Sequence, residues 1–222
     1  MSDHRIVALD GPSAAGKSTV ARGVAQELGW LYVDSGALYR AVTWQLLASN
    51  EGAVDKSITQ EQLEQMEWSF FEQAGAVAFQ INGYQPVEEL RNKAVREAVA
   101  LVAAQPAVRN VVVSSLRSFA KMGSLVIEGR DIGSVVFPDT PHKFYLDADP
   151  HERAMRRYRE LAQAGENEKA EAVLASLAKR DKIDSTRAQD PLQVASDAVR
   201  IDTTHLELKE VIEMVINRVM EC

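Results

Sequence analysis

Gly11-Pro12-Ser13-Ala14-Ala15-Gly16-Lys17-Ser18-Thr19 fits G-x-x-x-x-G-K-[ST], the pattern of a phosphate-cradling loop. Its flanks fit as well. Arg5-Ile6-Val7-Ala8-Leu9-Asp10 is a short apolar run that reads as a buried strand. From Ser18 to Leu28 the apolar residues Val20, Ala21, Val24, Ala25 and Leu28 keep the spacing of one helical face, and Gly29 follows as a helix stop. Glycines let the backbone turn its N–H groups inward around phosphate oxygens, and the next helix adds its positive dipole end. In this pattern Lys17 reaches the β- and γ-phosphates and the Ser18 hydroxyl ligates Mg²⁺.

Working outward, the 222 residues suffice for one core, or one core with an inserted subdomain. The net charge of −7 argues against a general nucleic-acid or membrane-surface binder. The single cysteine, Cys222, leaves no intrachain disulfide and points to a reducing compartment. No leader precedes the first strand and no apolar run approaches the length of a membrane span, so the cytoplasm is expected.

Further strands read at Trp30–Val33, Leu125–Ile127, His142–Leu146 and Ala198–Asp202, each bounded by helical patterns. Three of these runs lead into polar clusters: Asp34-Ser35-Gly36-Ala37-Leu38-Tyr39-Arg40, Glu128-Gly129-Arg130-Asp131 and Asp147-Ala148-Asp149-Pro150. Polar residues where parallel strands end are where open α/β sheets build ligand sites. Ser35 reads as a helix N-cap, and Tyr39 with Arg40 as either a surface pair or ligand contacts. From Asn50 through Glu51 and Gly52 to about Arg109 the pattern changes. Val77, Phe79 and Ile81 alternate, Asn82-Gly83 reads as a hairpin turn returning through Tyr84–Val87, and Trp68–Phe71 reads as a third strand of a small antiparallel insert. Helices with apolar faces over Val95–Val102 and from Pro106 to Phe119 close it. Arg153, Arg156, Arg157 and Arg159 crowd one later helix, either as a solvated face or as a basic cluster against the acidic trend. Asp184 and Arg187, three apart, read equally as a pair on a helix face.

Taken together, Asp10–Thr19, Asp34–Arg40, the run Glu128-Gly129-Arg130-Asp131-Ile132-Gly133-Ser134-Val135-Val136-Phe137-Pro138, and Arg180-Asp181 with Asp184 and Arg187 make the chain resemble the bacterial cytidylate kinases, within the nucleoside-monophosphate kinases. The resemblance covers nearly the whole length. It implies a five-stranded parallel P-loop sheet flanked by helices (core 1–49, 110–150 and 188–222). To this core it adds an antiparallel monophosphate-binding insert at about 50–109 and a short helical lid with adjoining helices at about 151–187. The implied reaction moves the γ-phosphoryl group of ATP to CMP or dCMP with Mg²⁺, by a cytoplasmic monomer without nucleic-acid or membrane partners. The implied catalytic residues are Lys17 and lid arginines among Arg153, Arg156 and Arg157, with Gly11–Thr19 on ATP and Ser18 on the metal. The implied acceptor residues are Tyr39, Arg40, Arg130 and Arg187 at the monophosphate and Arg180 and Asp184 at the ribose, with Ser35 a further substrate contact. Asp131 and Arg109 would read the base. Ala100 stands where the resemblance implies a serine near the base, and Ser18 where many relatives have a second glycine. A kinase for another monophosphate such as UMP is the nearest alternative. A GTPase-type switch would need Asn-Lys-x-Asp, but Asn92-Lys93 runs into Ala94-Val95.

Overall fold

The computed structural model describes residues 5–50, 52–53 and 58–221; Glu51 and Cys222, named above, lie outside them. Five strands, β1 (Ile6–Asp10), β2 (Leu31–Asp34), β5 (Leu125–Glu128), β6 (His142–Asp147) and β7 (Val199–Asp202), run parallel in the order β2-β5-β1-β6-β7. This is the expected parallel core, with every strand's C-terminal end on one edge. The antiparallel hairpin of β3 (Trp68–Gln73) and β4 (Ala76–Ile81) is not a separate sheet. It joins the β2 edge through the pairing of Tyr32 with Ala76, so the whole sheet has seven strands rather than five.

Alternation along the strands explains the layers. Ala8, Val33, Leu125 and Ile127 face one core, closed by α2 (Ser35–Ser49), α4 (Lys93–Ala103) and α5 (Pro106–Ser118). Val7, Leu9, Tyr32 and Val126 face the other, closed by α1 (Lys17–Leu28) and α8 (Leu208–Met220). The short α3 (Gln60–Glu64) precedes β3. A third, smaller cluster of Ala154, Leu161, Val173 and Leu177 holds α6 (Pro150–Gln163) against α7 (Ala170–Thr186). Two ion pairs tie α4 to the connection between these helices: Arg96 to Glu166 at 2.5 Å and Lys93 to Glu168 at 3.1 Å.

Three local expectations change. The turn between β3 and β4 is Ala74-Gly75, with φ of +50° and +74°, the doubly positive geometry that matches strand twist. Asn82-Gly83 also turns, at +51° and +76°, but the return shrinks to one bridge between Ile81 and Tyr84. Pro86 lies two residues on and has no N–H to extend a ladder. The N-cap of α2 is Asp34, which accepts from the Ala37 N–H at 2.9 Å, so Ser35 is the first helical residue. Asp34 and Ser35 are both good caps, and β2 passes into α2 with no residue between them, so the last strand residue serves as the cap.

Candidate active site

The phosphate loop joins β1 to α1. Gly11 has φ +146°, and a Cβ built there would lie 1.9 Å from the Leu146 carbonyl oxygen, so no side chain fits. Gly16 caps α1 at φ +87° without any side-chain bond, leaving the helix's first N–H groups to face the loop. Ala14 adopts φ +61°, a left-handed conformation that costs an L-residue. Lys17 is buried and its ammonium donates to the Pro12 carbonyl at 2.6 Å. Thr19, further along α1, is exposed.

The Ser18 hydroxyl donates to Glu128 Oε1 at 2.6 Å. Glu128 ends β5, the neighbour of β1 in the sheet. A hydroxyl and a carboxylate side by side are hard oxygen donors suited to Mg²⁺, which takes few protein ligands and completes its shell with phosphates and water. Among the described residues no three His, Cys, Asp or Glu side chains cluster as a metal cage. Glu128 was not singled out in the sequence as a partner of Ser18, although a carboxylate closing a fully apolar strand was its signal.

Beyond Glu128 the chain builds a second cationic surface. The Ser35 hydroxyl donates to the Glu128 carbonyl at 2.7 Å, pinning the start of α2 to the end of β5. Gly129 permits this, since a Cβ there would stand 2.7 Å from the Ser35 hydroxyl. Arg40 pairs with Asp34 at 2.7 Å and Arg130 with Asp184 at 2.9 Å, while Arg180 lies 3.9 Å from the same Asp184 carboxylate. Asp184 and Arg187 therefore do not pair with each other. Arg187 closes α7 and turns to Asp131 instead, at 3.4 Å. Arg109, wholly buried, donates to Asp131 through Nη2 and to Asp190 through Nε at 2.8 Å. Its guanidinium lies 5.9 Å from the centroid of the Tyr39 ring. The Tyr39 hydroxyl and Arg109 Nη1 are buried without hydrogen-bond partners among the described residues.

A five-residue π-helical turn, Ile132–Val136, sets Asp131 in position. Both oxygens of Asp10, at the end of β1, accept from its first two N–H groups, Ile132 and Gly133, each at 2.8 Å. Asp10 thus joins the phosphate loop to the turn behind Asp131. Burial pushes its carboxyl up to about 7, against the pull of the Gly133 and Ile132 hydrogen bonds.

The cations outweigh their partners. Burial, then the charge of Arg130, pulls the Lys17 ammonium down to about 7, with Glu128 opposing. Enclosure and the same Arg130 bring Arg180 down to about 10. Burial raises the Asp184 carboxyl, but Arg130 and Arg180 outweigh it and hold it below the usual carboxylate range. Cations that lower one another's affinity for a proton, as Arg130 does to Lys17 and Arg180, suit a polyanionic ligand.

A family model described as cytidylate kinase matches residues 7–221. The chain belongs to the cytidylate kinase family. Cytidylate kinase of Oleidesulfovibrio alaskensis is 39% identical over 222 residues, covering 98% of this chain and 99% of that protein. That of Pelotomaculum thermopropionicum is 40% identical, covering 99% and 97%. Among solved structures, an uncharacterised protein from Eubacterium ventriosum aligns with a TM-score of 0.52 at 13% identity, over 99% of this chain and 100% of that one. That likeness concerns the fold alone.

In this cytidylate kinase family chain the arginines of α6 divide. Arg153 is buried, donating to Asp181 at 2.5 Å and to the Ser13 carbonyl at 3.1 Å. Arg156 donates to the Thr203 carbonyl at 2.6 Å, and its Nη1 lies 3.9 Å from where a Cβ on Gly16 would be. These two border the phosphate loop. Arg157 pairs with Glu160 at 2.8 Å, one turn along α6, and is more open to solvent. Ala100 is buried on α4.

Proposed function

We propose that the chain transfers the γ-phosphoryl group of ATP to CMP or dCMP, giving ADP and CDP or dCDP. The observation that carries this is the facing arrangement of one phosphate loop and one separate cationic surface that ends in a buried acid–cation pair, in a cytidylate kinase family chain. The reading makes Gly11–Thr19 the ATP cradle. Lys17, Arg153, Arg156 and Arg157 are assigned to the charge on the transferring group, of which Arg153 and Arg156 border the cradle. Mg²⁺, held by Ser18 and Glu128 with the phosphates, would supply further charge neutralisation.

On the acceptor side, guanidinium forks suit phosphate oxygens, so Arg40, Arg130 and Arg187 take the monophosphate with Tyr39 and Ser35. Arg180 and Asp184 take the ribose hydroxyls. Asp131 accepts from the exocyclic amine of cytosine, and Arg109 donates to its ring nitrogen and carbonyl. An oxygen of the acceptor phosphate forms the new bond to the γ-phosphorus as the β,γ-bridging bond breaks and ADP leaves. That oxygen is already ionised at neutral pH, so no general base is needed, and the protein's work is positioning and charge stabilisation. Segment 50–109 serves as the monophosphate-binding part and 151–187 as the lid that keeps water from the transferring group.

The reading extends to a cytoplasmic monomer without nucleic-acid or membrane partners. In favour of the last part, the net charge of −7 repels polyanionic surfaces. A coupled ADP-release assay across CMP, dCMP, UMP, AMP and dTMP tests the substrate. CMP and dCMP should lead; turnover of AMP or dTMP above CMP would overturn the assignment.

A further inference from the structure

Asp190 lies in the irregular stretch between α7 and β7, with φ +48°. Most side chains avoid that conformation, and Asp and Asn tolerate it best after glycine. Held there, the residue does two things at once. Its Oδ2 accepts from Arg109 Nε at 2.8 Å, and its carbonyl oxygen accepts from Arg187 Nε at 2.7 Å. Arg109 is thereby gripped by two carboxylates, Asp190 on Nε and Asp131 on Nη2. A guanidinium is a rigid planar fork, so fixing two of its nitrogens fixes the third. That third nitrogen, Nη1, is buried with no hydrogen-bond partner among the described residues, as is Nη2 of the neighbouring Arg187. Leaving such a donor unmet is costly unless a ligand meets it.

We propose that Asp190 is a positioning and specificity-determining residue for the acceptor base: it locks Arg109 so that Nη1 faces the base and leaves Asp131 partly free to accept from the base. This rests on the assignment of Arg109 and Asp131 to the base. Two charges of each sign meet here, Arg109 and Arg187 against Asp131 and Asp190. Both arginines already meet Asp131 at one oxygen, Oδ2, and without Asp190 that carboxylate would be the only one left to answer Arg109, so it would turn further toward the protein and lose lone pairs to it. Uracil, which presents an acceptor where cytosine presents an amine, is penalised by a free Asp131 carboxylate more than by a neutralised one.

Asp190→Gly tests the carboxylate without straining the backbone, since glycine is at ease at positive φ. Asp190→Asn keeps both the backbone preference and an oxygen able to accept from Nε. Steady-state kinetics with CMP and UMP, at saturating and varied ATP, provide the readout. In Asp190→Gly, KM for CMP should rise about tenfold, as expected for one lost hydrogen bond to a charged group, and that for UMP should rise less. KM for ATP should not move and kcat should change by less than about threefold, the split expected of lost substrate binding. Asp190→Asn should recover most of the CMP loss. An unchanged CMP-to-UMP preference in Asp190→Gly overturns the inference, as does an equal rise for both nucleotides that Asn does not relieve. An unaltered enzyme that prefers AMP would defeat the base assignment and this inference with it; a CMP-preferring enzyme whose Asp190→Gly ratio is unmoved defeats this inference alone.

Discussion

Asp131→Asn should separate the two duties assigned to Asp131, holding buried cations and recognising the base. Its side chain is 5% exposed, between Arg109 at 0% and Arg187 at 4%. Removing one partner of a buried ion pair costs about 3–5 kcal/mol, because the other is left uncompensated. Arg109 keeps Asp190, so the low end applies, about 3 kcal/mol. For a chain of this size each kcal/mol shifts Tm by about 2–4 °C, so a fall of about 6–12 °C is expected. The second duty is read separately. An amide at this position can offer an N–H to uracil as readily as an oxygen to cytosine. A base-edge contact discriminates by about 1–3 kcal/mol, so the ratio of kcat/KM for CMP over UMP should fall about 5- to 150-fold. Thermal denaturation and the coupled ADP-release assay on the same preparation measure the two effects. If Tm falls as stated while the CMP-to-UMP ratio holds, Asp131 is a counter-ion only and the base assignment is wrong.

Three other perturbations probe the donor half. With the Lys17 ammonium lowered to about 7 by burial, the folded chain sheds a proton that the unfolded chain keeps until about 10.5, so stability without ATP gains from Lys17 as pH rises from about 7 to about 10.5. ATP phosphates should restore the charge, so calorimetry in buffers of differing ionisation enthalpy should show proton uptake on ATP binding at about pH 8 that fades below about pH 7; Lys17→Met should abolish it. Glu128→Gln should raise the Mg²⁺ concentration for half-maximal rate by about 10- to 100-fold, and an unchanged Mg²⁺ titration would remove Glu128 from the metal site. Ala14→Gly should relieve a left-handed residue worth about 1–2 kcal/mol at a cost of about 0.4–1 kcal/mol in unfolded-state entropy. The net is about 0–1.6 kcal/mol, a Tm gain of up to about 6 °C, and a lower Tm would show that Ala14 is not strained.

The strands of the parallel core and the long helices were legible because burial writes itself into sequence as apolar runs and 3.6-residue spacing. The phosphate loop was legible because its backbone shape demands glycine, at Gly11 most of all. What was not legible depended on neighbours far along the chain. Ala74-Gly75 turns the β3–β4 hairpin without the Asn or Asp that marks such turns, whereas Asn82-Gly83 marks a turn whose return strand is cut short. The run Ile132–Val136 is too brief for periodicity to reveal a π-helical turn, and its N–H groups are answered by Asp10, 122 residues away in sequence. Glu128 and Asp190 carry no motif of their own. Glu128 acquires meaning from Ser18 across the sheet, and Asp190 from Arg109 across the loop. For the candidate site as a whole, the residue types were readable and the pairing among them was not.

The ties from α4 to the α6–α7 connection bear on timing. Arg96, Glu166, Lys93 and Glu168 meet at the rim, where water and salt reach them. Contacts of this kind are weakened by screening rather than by heat, and they re-form as soon as the partners drift back. With 151–187 as the lid proposed above, they would favour the gathered arrangement without locking it, and product would have only a shallow electrostatic step to cross on leaving. Ionic strength would then control dwell time, acting on how long the two flanks stay together and leaving the buried chemistry as it was.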